Sequence, residues 1–350
     1  MEHNQRPHII AGPCSVESRE QLLQATEVLC RNPRVRIIRG GVWKPRTRPG
    51  GFEGLGEPAL RWMQEIHDSD LRMADGSRVR FCCEVARPEH VDLCLQHGID
   101  TVWIGARTTT NPFMVEELCA ALHGSGMNVM VKNPVCPDLR LWIGAIERLQ
   151  QAGLAHVSAI HRGFNLYNNR GYRNAPMWEV ALELRRECPE TPILCDPSHI
   201  GGCQDLVAPI AHLAMQLDYD GLMIEVHPNP EQAWSDATQQ LTPAQLAALL
   251  DSLPHNPQAT HTSPALLPLR EQIDTIDHEL LNLLAKRMAV SRRIATIKQA
   301  SQMPVYQSKR WESVVADRLQ KAESLGLDLS FTKELLEKIH AESVRVQLGN

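Results

Sequence analysis

The sequence predicts an α/β chain: a (β/α)8 TIM barrel followed by an all-α three-helix unit. Three observations predict it. Eight short apolar runs, at residues 8–12, 35–38, 79–83, 101–104, 128–131, 156–160, 192–195 and 221–224, alternate with stretches of helical period. Nearly every run leads into a chemically committed residue, and strand ends are where such a barrel carries its site. Beyond residue 265 the strand-like runs cease and only helical period remains.

In chain order, the runs lead to Cys14, to Arg39 with Lys44, and to Glu84, Arg107, Lys132, Arg162, His199 and Glu225. Helical period fills the intervals at 17–31, 58–68, 88–97, 113–124, 140–152 and 177–186. Residues 251–265, DSLPHNPQATHTSPA, hold three prolines and no periodicity, and read as a linker between a barrel at 1–250 and a helical unit at 266–350. Residues 266–299 form one amphipathic stretch, with apolar side chains at 269, 273, 276, 280, 283 or 284, 290, 294 and 297. Pro304 breaks it, 308–323 resumes the period, Gly326 interrupts, and Ser330 is expected to cap a last helix ending near Gln347. A helix of about 30 residues is ~45 Å long. It cannot bury its seam against two short helices alone, which points to a homodimer through the tail. Whether dimers pair into tetramers stays open.

The chain has 350 residues, 43% of them hydrophobic, and a formal charge of −5. That charge does not favour a nucleic acid or an anionic membrane surface as partner. No apolar run approaches the ~18 residues of a membrane span. The polar start at residues 1–8 lacks the apolar core of a signal peptide, so a cytoplasmic location is expected. The ten cysteines follow no CxxC or framework spacing and are expected to be reduced, most of them packed as small core residues.

Cys14, His199, Glu225 and, in the loop beyond the last strand, Asp236 supply a thiolate, an imidazole and two carboxylates at one barrel mouth. That mixed-softness set suits a divalent first-row ion better than magnesium alone. Arg39, Lys44, Arg46, Arg107, Lys132 and Arg162 gather at or just past strand ends. Cations so placed repel one another unless anions neutralise them, and they suit phosphate and carboxylate groups. Glu84 is the one anionic group left to manage a proton or a water. The residues by themselves thus point to metal-assisted carbon–carbon chemistry between two anionic phosphoesters.

The motifs AGPCS (11–15), KPRTRP (44–49), GAR (105–107), HRG (161–163), DPSH (196–199), IEVHPNP (224–230) and SDATQQL (235–241) resemble those of 3-deoxy-D-arabino-heptulosonate 7-phosphate (DAHP) synthases. The resemblance spans roughly residues 7–250 and is greatest to the short-barrel branch that also contains 3-deoxy-octulosonate 8-phosphate (KDO8P) synthases. Within that branch the DAHP enzymes carry Lys-Pro-Arg-Thr in the phosphate loop, as here, where the octulosonate enzymes carry Lys-Ala-Asn-Arg-Thr. The resemblance implies phosphoenolpyruvate and erythrose 4-phosphate as substrates, and a divalent metal, manganese first and iron, cobalt or zinc as alternatives. It makes Cys14, His199, Glu225 and Asp236 the metal ligands and Arg107, Lys132 and Arg162 the phosphoenolpyruvate anchors, with Arg39 and Lys44 beside the carboxylate. Arg46 and Thr47 then meet erythrose 4-phosphate. Lys132 stands in VKNP, where many relatives carry Lys-Arg-Gly, and Arg48 adds a cation where a small residue is common. The implied reaction is attack of the third carbon of phosphoenolpyruvate on the aldehyde, addition of water at the second carbon, and loss of phosphate.

In the tail, Arg287 and Lys298 lie 11 residues apart on the apolar seam, three turns to within about 20°. Two aligned cations in an apolar seam each need a counter-charge. Arg270, about 100° round the helix, serves that pocket more easily from a partner subunit. Residues 269–347 resemble the all-helical chorismate mutases. That resemblance implies chorismate as substrate, Arg270, Arg287, Arg310 and Ser343 as its binding residues, and Lys298 with Gln347 as catalytic donors to the ether oxygen. Gln307 and Trp311 depart from the family, which carries an aspartate and a hydroxyl-binding glutamate there. The expectation is therefore a bifunctional aromatic-pathway enzyme. With the first strand expected near His8, the tail is expected to double as a prephenate sensor. Two alternatives stay open: a tail that serves only as dimerisation and sensor module, and a KDO8P-type barrel.

Overall fold

The computed structural model describes residues 7–44, 50–167, 169, 171–253 and 267–349. The chain divides into two compact units, Met1–Pro257 and Gln258–Asn350. From residue 254 on, the expected linker lies outside the described residues, while Asp251 and Ser252 complete a helix.

Eight parallel strands close into a barrel in chain order: β1 His8–Gly12, β2 Val35–Arg39, β3 Phe81–Val85, β4 Thr101–Ile104, β5 Asn128–Lys132, β6 Val157–His161, β7 Ile193–Cys195 and β8 Gly221–Glu225. Strand β8 returns to β1 through pairs from His8↔Gly221 to Gly12↔Glu225. The helices of the barrel unit are α1 Arg19–Leu29, α2 Glu57–Asp68, α3 Pro88–Gln96, α4 Ala106–Thr109, α5 Pro112–Leu122, α6 Leu139–Gln151, α7 Trp178–Glu187, α8 Pro197–Gly201, α9 Gln204–Gln216 and α10 Pro243–Ser252. Their starts are marked locally. Ser18, Asn111, Asp138, Asp196 and Thr242 each accept a first-turn N–H, and proline stands in the first turn of α2, α3, α5, α8 and α10.

The third strand corrects the expected 79–83. Pairing of Ile38 with Phe81 and Arg39 with Cys82 sets the register, and the carbonyl of the buried Val79 meets the ring of His67 instead. An apolar run marks burial, not pairing, so Glu84 lies inside β3 and not after it. Likewise Arg39, Lys132 and Glu225 are the last residues of their strands.

One side chain from each strand, Ile10, Ile37, Cys82, Trp103, Met130, Ile160, Leu194 and Met223, fills the barrel interior as a separate apolar cluster. Side chains alternate along a strand, so the residues two positions on face the same way. They are Gly12, Arg39, Glu84, Gly105, Lys132, Arg162, Asp196 and Glu225. The layer above the apolar plug is therefore polar and charged, with a glycine at the ends of β1 and β4. A Cβ at Gly105 would strike the Glu84 carboxylate, so that glycine makes room for it.

The second unit is helical: α11 Leu267–Ala300, α12 Ser308–Ser324 and α13 Leu329–Gln347. Asp328, not Ser330, caps α13, its side chain accepting from the Phe331 N–H at 2.7 Å. A charged carboxylate placed before the first turn also meets the positive end of the helix dipole. Along α11 the apolar seam stays open in one chain, with Leu269, Ile273, Ile276, Leu280, Leu283 and Ile297 all more than half exposed.

Candidate active sites

Cys14 follows β1 and is buried. Its N–H donates to Gln240 Oε1 at 2.9 Å and its Sγ lies 3.2 Å from Asp236 Oδ2. Glu225 closes β8, fully buried, taking Arg39 Nη2 at 3.0 Å on Oε1 and Gln239 Nε2 at 2.6 Å on Oε2. One donor atom each from Cys14, Glu225 and Asp236 lie within 4.8 Å of one another. His199, on α8, sets Nε2 at 3.8 Å from Glu225 Oε1 and Nδ1 at 2.8 Å from Asp196 Oδ2. A histidine with one nitrogen toward the cluster and the other beside a carboxylate is oriented as metal-binding histidines are. A thiol and two carboxylates within 4.8 Å of one another, with an imidazole beside one of the carboxylates, fit a divalent first-row ion.

The loop carrying Asp236 is drawn in by side chains. Ser15 Oγ meets Ser235 Oγ at 2.6 Å, Glu17 Oε1 accepts the Trp234 N–H at 2.8 Å, and Gln240 Nε2 donates to the Ser235 carbonyl at 2.9 Å. Asp236 takes a left-handed backbone, φ 48°, and accepts from Arg173 at 3.0 Å. Gln239 and Gln240 thus hold two different residues of the cluster, Glu225 and Cys14, from adjacent positions.

Charge in this layer is paired through burial. Burial alone would raise the Glu225 carboxyl, but His199, Arg39 and Lys44 hold it below its ordinary range. Asp196 is held well below, against burial, by His199 and Lys132, whose Nζ lies 3.0 Å away. Burial, with Glu225 adding to it, pushes the Cys14 thiol up to about 12, since nothing but Lys44 and Arg39 opposes it. Bound metal is what converts such a thiol to thiolate.

The cations form an arc. Arg39 is 1% exposed, and beyond Glu225 its Nε and Nη1 are buried without partners among the described residues. Arg39 and Lys132 both lie over Trp103, 5.1 and 5.5 Å from the ring centroid, while the Trp103 indole N–H donates to Glu84 Oε2 at 2.9 Å. Arg162 Nη1 donates to Asn174 Oδ1 at 2.7 Å, and its own N–H is taken by Asn133 Oδ1 at 2.7 Å. Arg107 stands exposed on α4 at the rim. Arg46, Thr47 and Arg48 lie outside the described residues.

Sequence reasoning missed the residues that hold these groups. Asn133, in the VKNP departure, also donates to the Gly163 carbonyl at 2.9 Å and so ties β5 to the Arg162 turn. Asp196, Gln239, Gln240, Asn174 and Trp103 had no assigned role. DPSH and SDATQQL marked three of them, but residue type alone does not reveal a partner 226 positions away.

In the helical unit, Arg287 on α11 donates through Nη1 to Ser343 Oγ and to the Ile339 carbonyl. Lys298 Nζ donates to the Val305 carbonyl at 2.5 Å. Gln347 lies one turn beyond Ser343 on α13, its Oε1 buried without a partner among the described residues. Arg310, on α12, is exposed. Arg270 is exposed too and stands 17 residues before Arg287, about 25 Å along the same helix. One chain therefore does not bring Arg270 to the Arg287 pocket.

The family model described as DAHP synthetase I family matches residues 2–259, and the one described as chorismate mutase type II matches 269–348. Over 233 residues the chain is 32% identical to the phospho-2-dehydro-3-deoxyheptonate aldolase of Thermotoga maritima, covering 67% of this chain and 64% of that protein's length. Over 78 residues it is 36% identical to the T-protein of Enterobacter agglomerans, 22% of this chain and 21% of that one. The 2-dehydro-3-deoxyphosphooctonate aldolase of Paraburkholderia xenovorans is 24% identical over 284 residues, 74% of this chain and 93% of its own length. The crystal structure of the Thermotoga maritima DAHP synthase superposes with a TM-score of 0.61 at 32% identity, covering 70% of this chain and 67% of that one.

Proposed function

Because the chain belongs to the DAHP synthetase I family and carries a chorismate mutase type II match at its C-terminal end, we propose that it is a bifunctional enzyme of aromatic biosynthesis. The barrel condenses phosphoenolpyruvate with erythrose 4-phosphate to DAHP and phosphate, and the helical unit rearranges chorismate to prephenate. The observation that carries the first reading is the Cys14, Glu225, Asp236 and His199 cluster sharing one mouth with Arg39, Lys132 and Arg162.

Those four residues would hold the divalent ion, manganese by preference, and the ion supplies Lewis-acid polarisation of the aldehyde oxygen. The chain's own residues do the rest. The unpartnered Nε and Nη1 of Arg39, with Lys132, Arg162 and Arg107, take the carboxylate and phosphate of phosphoenolpyruvate. Lys44 stays charged beside Cys14 and is placed to give its proton to the aldehyde oxygen as the new carbon–carbon bond forms. Glu84, fixed by the Trp103 indole, orients the water that adds to the second carbon and accepts its proton before phosphate leaves.

Phosphoenolpyruvate loss with erythrose 4-phosphate, before and after chelation and then with manganese restored, tests this reading. Turnover that chelation abolishes and manganese restores supports it. Turnover with arabinose 5-phosphate in place of erythrose 4-phosphate would assign the octulosonate reaction instead.

For the tail, cations that hold two carboxylates and donors at the ether oxygen suffice for a unimolecular rearrangement. The open α11 seam and the ~25 Å between Arg270 and Arg287 along it favour a homodimer in which each pocket borrows Arg270 from the partner. We further assign prephenate as an inhibitor of the barrel acting through the tail. Equal synthase kinetics with and without saturating prephenate would end that assignment. A cytoplasmic location, where the ten cysteines would stay reduced, goes with this reading.

A further inference from the structure

Trp311 stands where the chorismate mutase resemblance places a glutamate for the substrate's ring hydroxyl, and an indole has a donor but no acceptor to offer. Its ring lies flat on His340, centroids 4.0 Å apart and planes 16° from parallel, with Tyr306 at 5.8 Å on the same imidazole. His340, Ser343 and Gln347 stand at i, i+3 and i+7 on α13 and so share one face of the helix. That face meets α11, where Arg287 donates to Ser343. His340 Nε2 is buried there without a partner among the described residues, as is Gln347 Oε1. Two unmet polar atoms on one face, beside two cations, are costly unless a ligand completes them.

Resting on the mutase reading above, we propose that His340 Nε2, its ring plane fixed by the Trp311 stack, accepts the hydrogen bond of the substrate's ring hydroxyl and sets the specificity of this pocket for a hydroxylated, doubly anionic ring. Burial and the nearby charges of Arg287 and Lys298 hold the imidazole below its ordinary range. It is therefore neutral near pH 7, and in the tautomer with its proton on Nδ1 the unpartnered Nε2 is the acceptor. Trp311 is a positioning residue here: it replaces the missing carboxylate by orienting a second side chain that can accept.

The test uses the full chain, with chorismate and its analogue bearing hydrogen in place of the ring hydroxyl. His340→Phe keeps a flat ring on Trp311 and removes the acceptor, whereas His340→Asn keeps an acceptor. The expected result for His340→Phe is a loss of about five- to tenfold in chorismate affinity and in kcat/KM. The analogue should bind wild type and His340→Phe alike, His340→Asn should recover part of the loss, and the synthase rate should not change. Equal discrimination between the two compounds by wild type and His340→Phe would overturn the proposal. Wild type that binds chorismate without rearranging it would end the mutase reading alone, and the affinity ratio would still decide the hydroxyl contact. Wild type that neither binds nor converts chorismate would overturn both.

Discussion

Lys44 Nζ lies 2.8 Å from the sulfur of Cys14 and 2.9 Å from the carbonyl oxygen of the same residue. Burial alone would lower its pKa, but Cys14, Glu225 and Asp236 together keep it above the ordinary lysine value. A charged, desolvated ammonium is thus fixed beside the candidate metal centre. Gly41 permits it: a Cβ there would run into the Cys14 carbonyl.

Lys44→Met should lower synthase kcat by roughly 10²–10⁴-fold, the usual worth of a positioned proton donor. Bound manganese, measured by elemental analysis, should stay at the wild-type level, and chorismate turnover should not change. Loss of the metal together with the activity would make Lys44 a support for Cys14 and not a donor.

Gln239 and Gln240 hold Glu225 and Cys14 from adjacent positions. Gln239→Ala or Gln240→Ala should each weaken manganese binding by about 10–100-fold, as loss of a partner that orients a ligand does. Titration calorimetry on the chelated protein reads this directly, and an unchanged affinity would leave the two glutamines as packing alone.

Arg39 and Glu225 are a fully buried ion pair. Arg39→Met removes the cation hydrogen-bonded to this buried carboxylate, leaving it the Gln239 bond, and should destabilise the barrel by roughly 3 kcal/mol, seen as a lowered urea midpoint. The KM for phosphoenolpyruvate should rise in the same variant. A stable variant with unchanged KM would mean that neither the pair nor the two unpartnered nitrogens matters.

His161 is buried between Tyr219 Oη at 2.8 Å and the Pro176 carbonyl at 2.6 Å, and burial pushes its pKa down to about 4. The folded state therefore keeps it neutral, while the unfolded chain takes up a proton below about 6.5. Stability from this group is complete above that pH and is lost as the pH falls toward 4, about 2 kcal/mol of it by pH 5. His161→Gln should flatten that part of the urea-midpoint profile. A wild-type profile already flat between pH 7 and 5 would refute the buried neutral assignment.

Leu280 is 51% exposed on the α11 seam. Leu280→Glu would cost a lone chain little but would place a charge inside a dimer interface. Light scattering should show dimers become monomers, and chorismate turnover should fall with them because Arg270 is no longer supplied. Dimers that persist would refute association through this seam.

The strand–helix alternation was legible because period two and helical period are local properties of the chain. So was the placement of several candidate residues, since Cys14, Arg39, Lys132, His199 and Glu225 stand at or beside strand ends where the runs placed them. Register was not legible. The 79–83 run became Phe81–Val85 because pairing with β2 decides it, and that moved Glu84 into the strand. The cap of α13 fell to Asp328 because two neighbouring residues offered similar side-chain oxygens and only the backbone path selects one. The support residues were illegible for a stronger reason. Asn133, Gln239 and Gln240 acquire meaning only from hydrogen bonds to residues brought beside them by barrel closure.

The sequence by itself determined the inventory and its order: which donor atoms exist and beside which strand each lies, because the alternation of strand and helix follows from local periodicity. Tertiary structure decided which of those atoms share a pocket and in what charge state. Desolvation and Coulomb interaction act through space, between residues as far apart in sequence as Cys14 and Asp236. Closure of the barrel buried the thiol, paired Arg39 with Glu225, and left Nε and Nη1 of that arginine buried without a partner among the described residues.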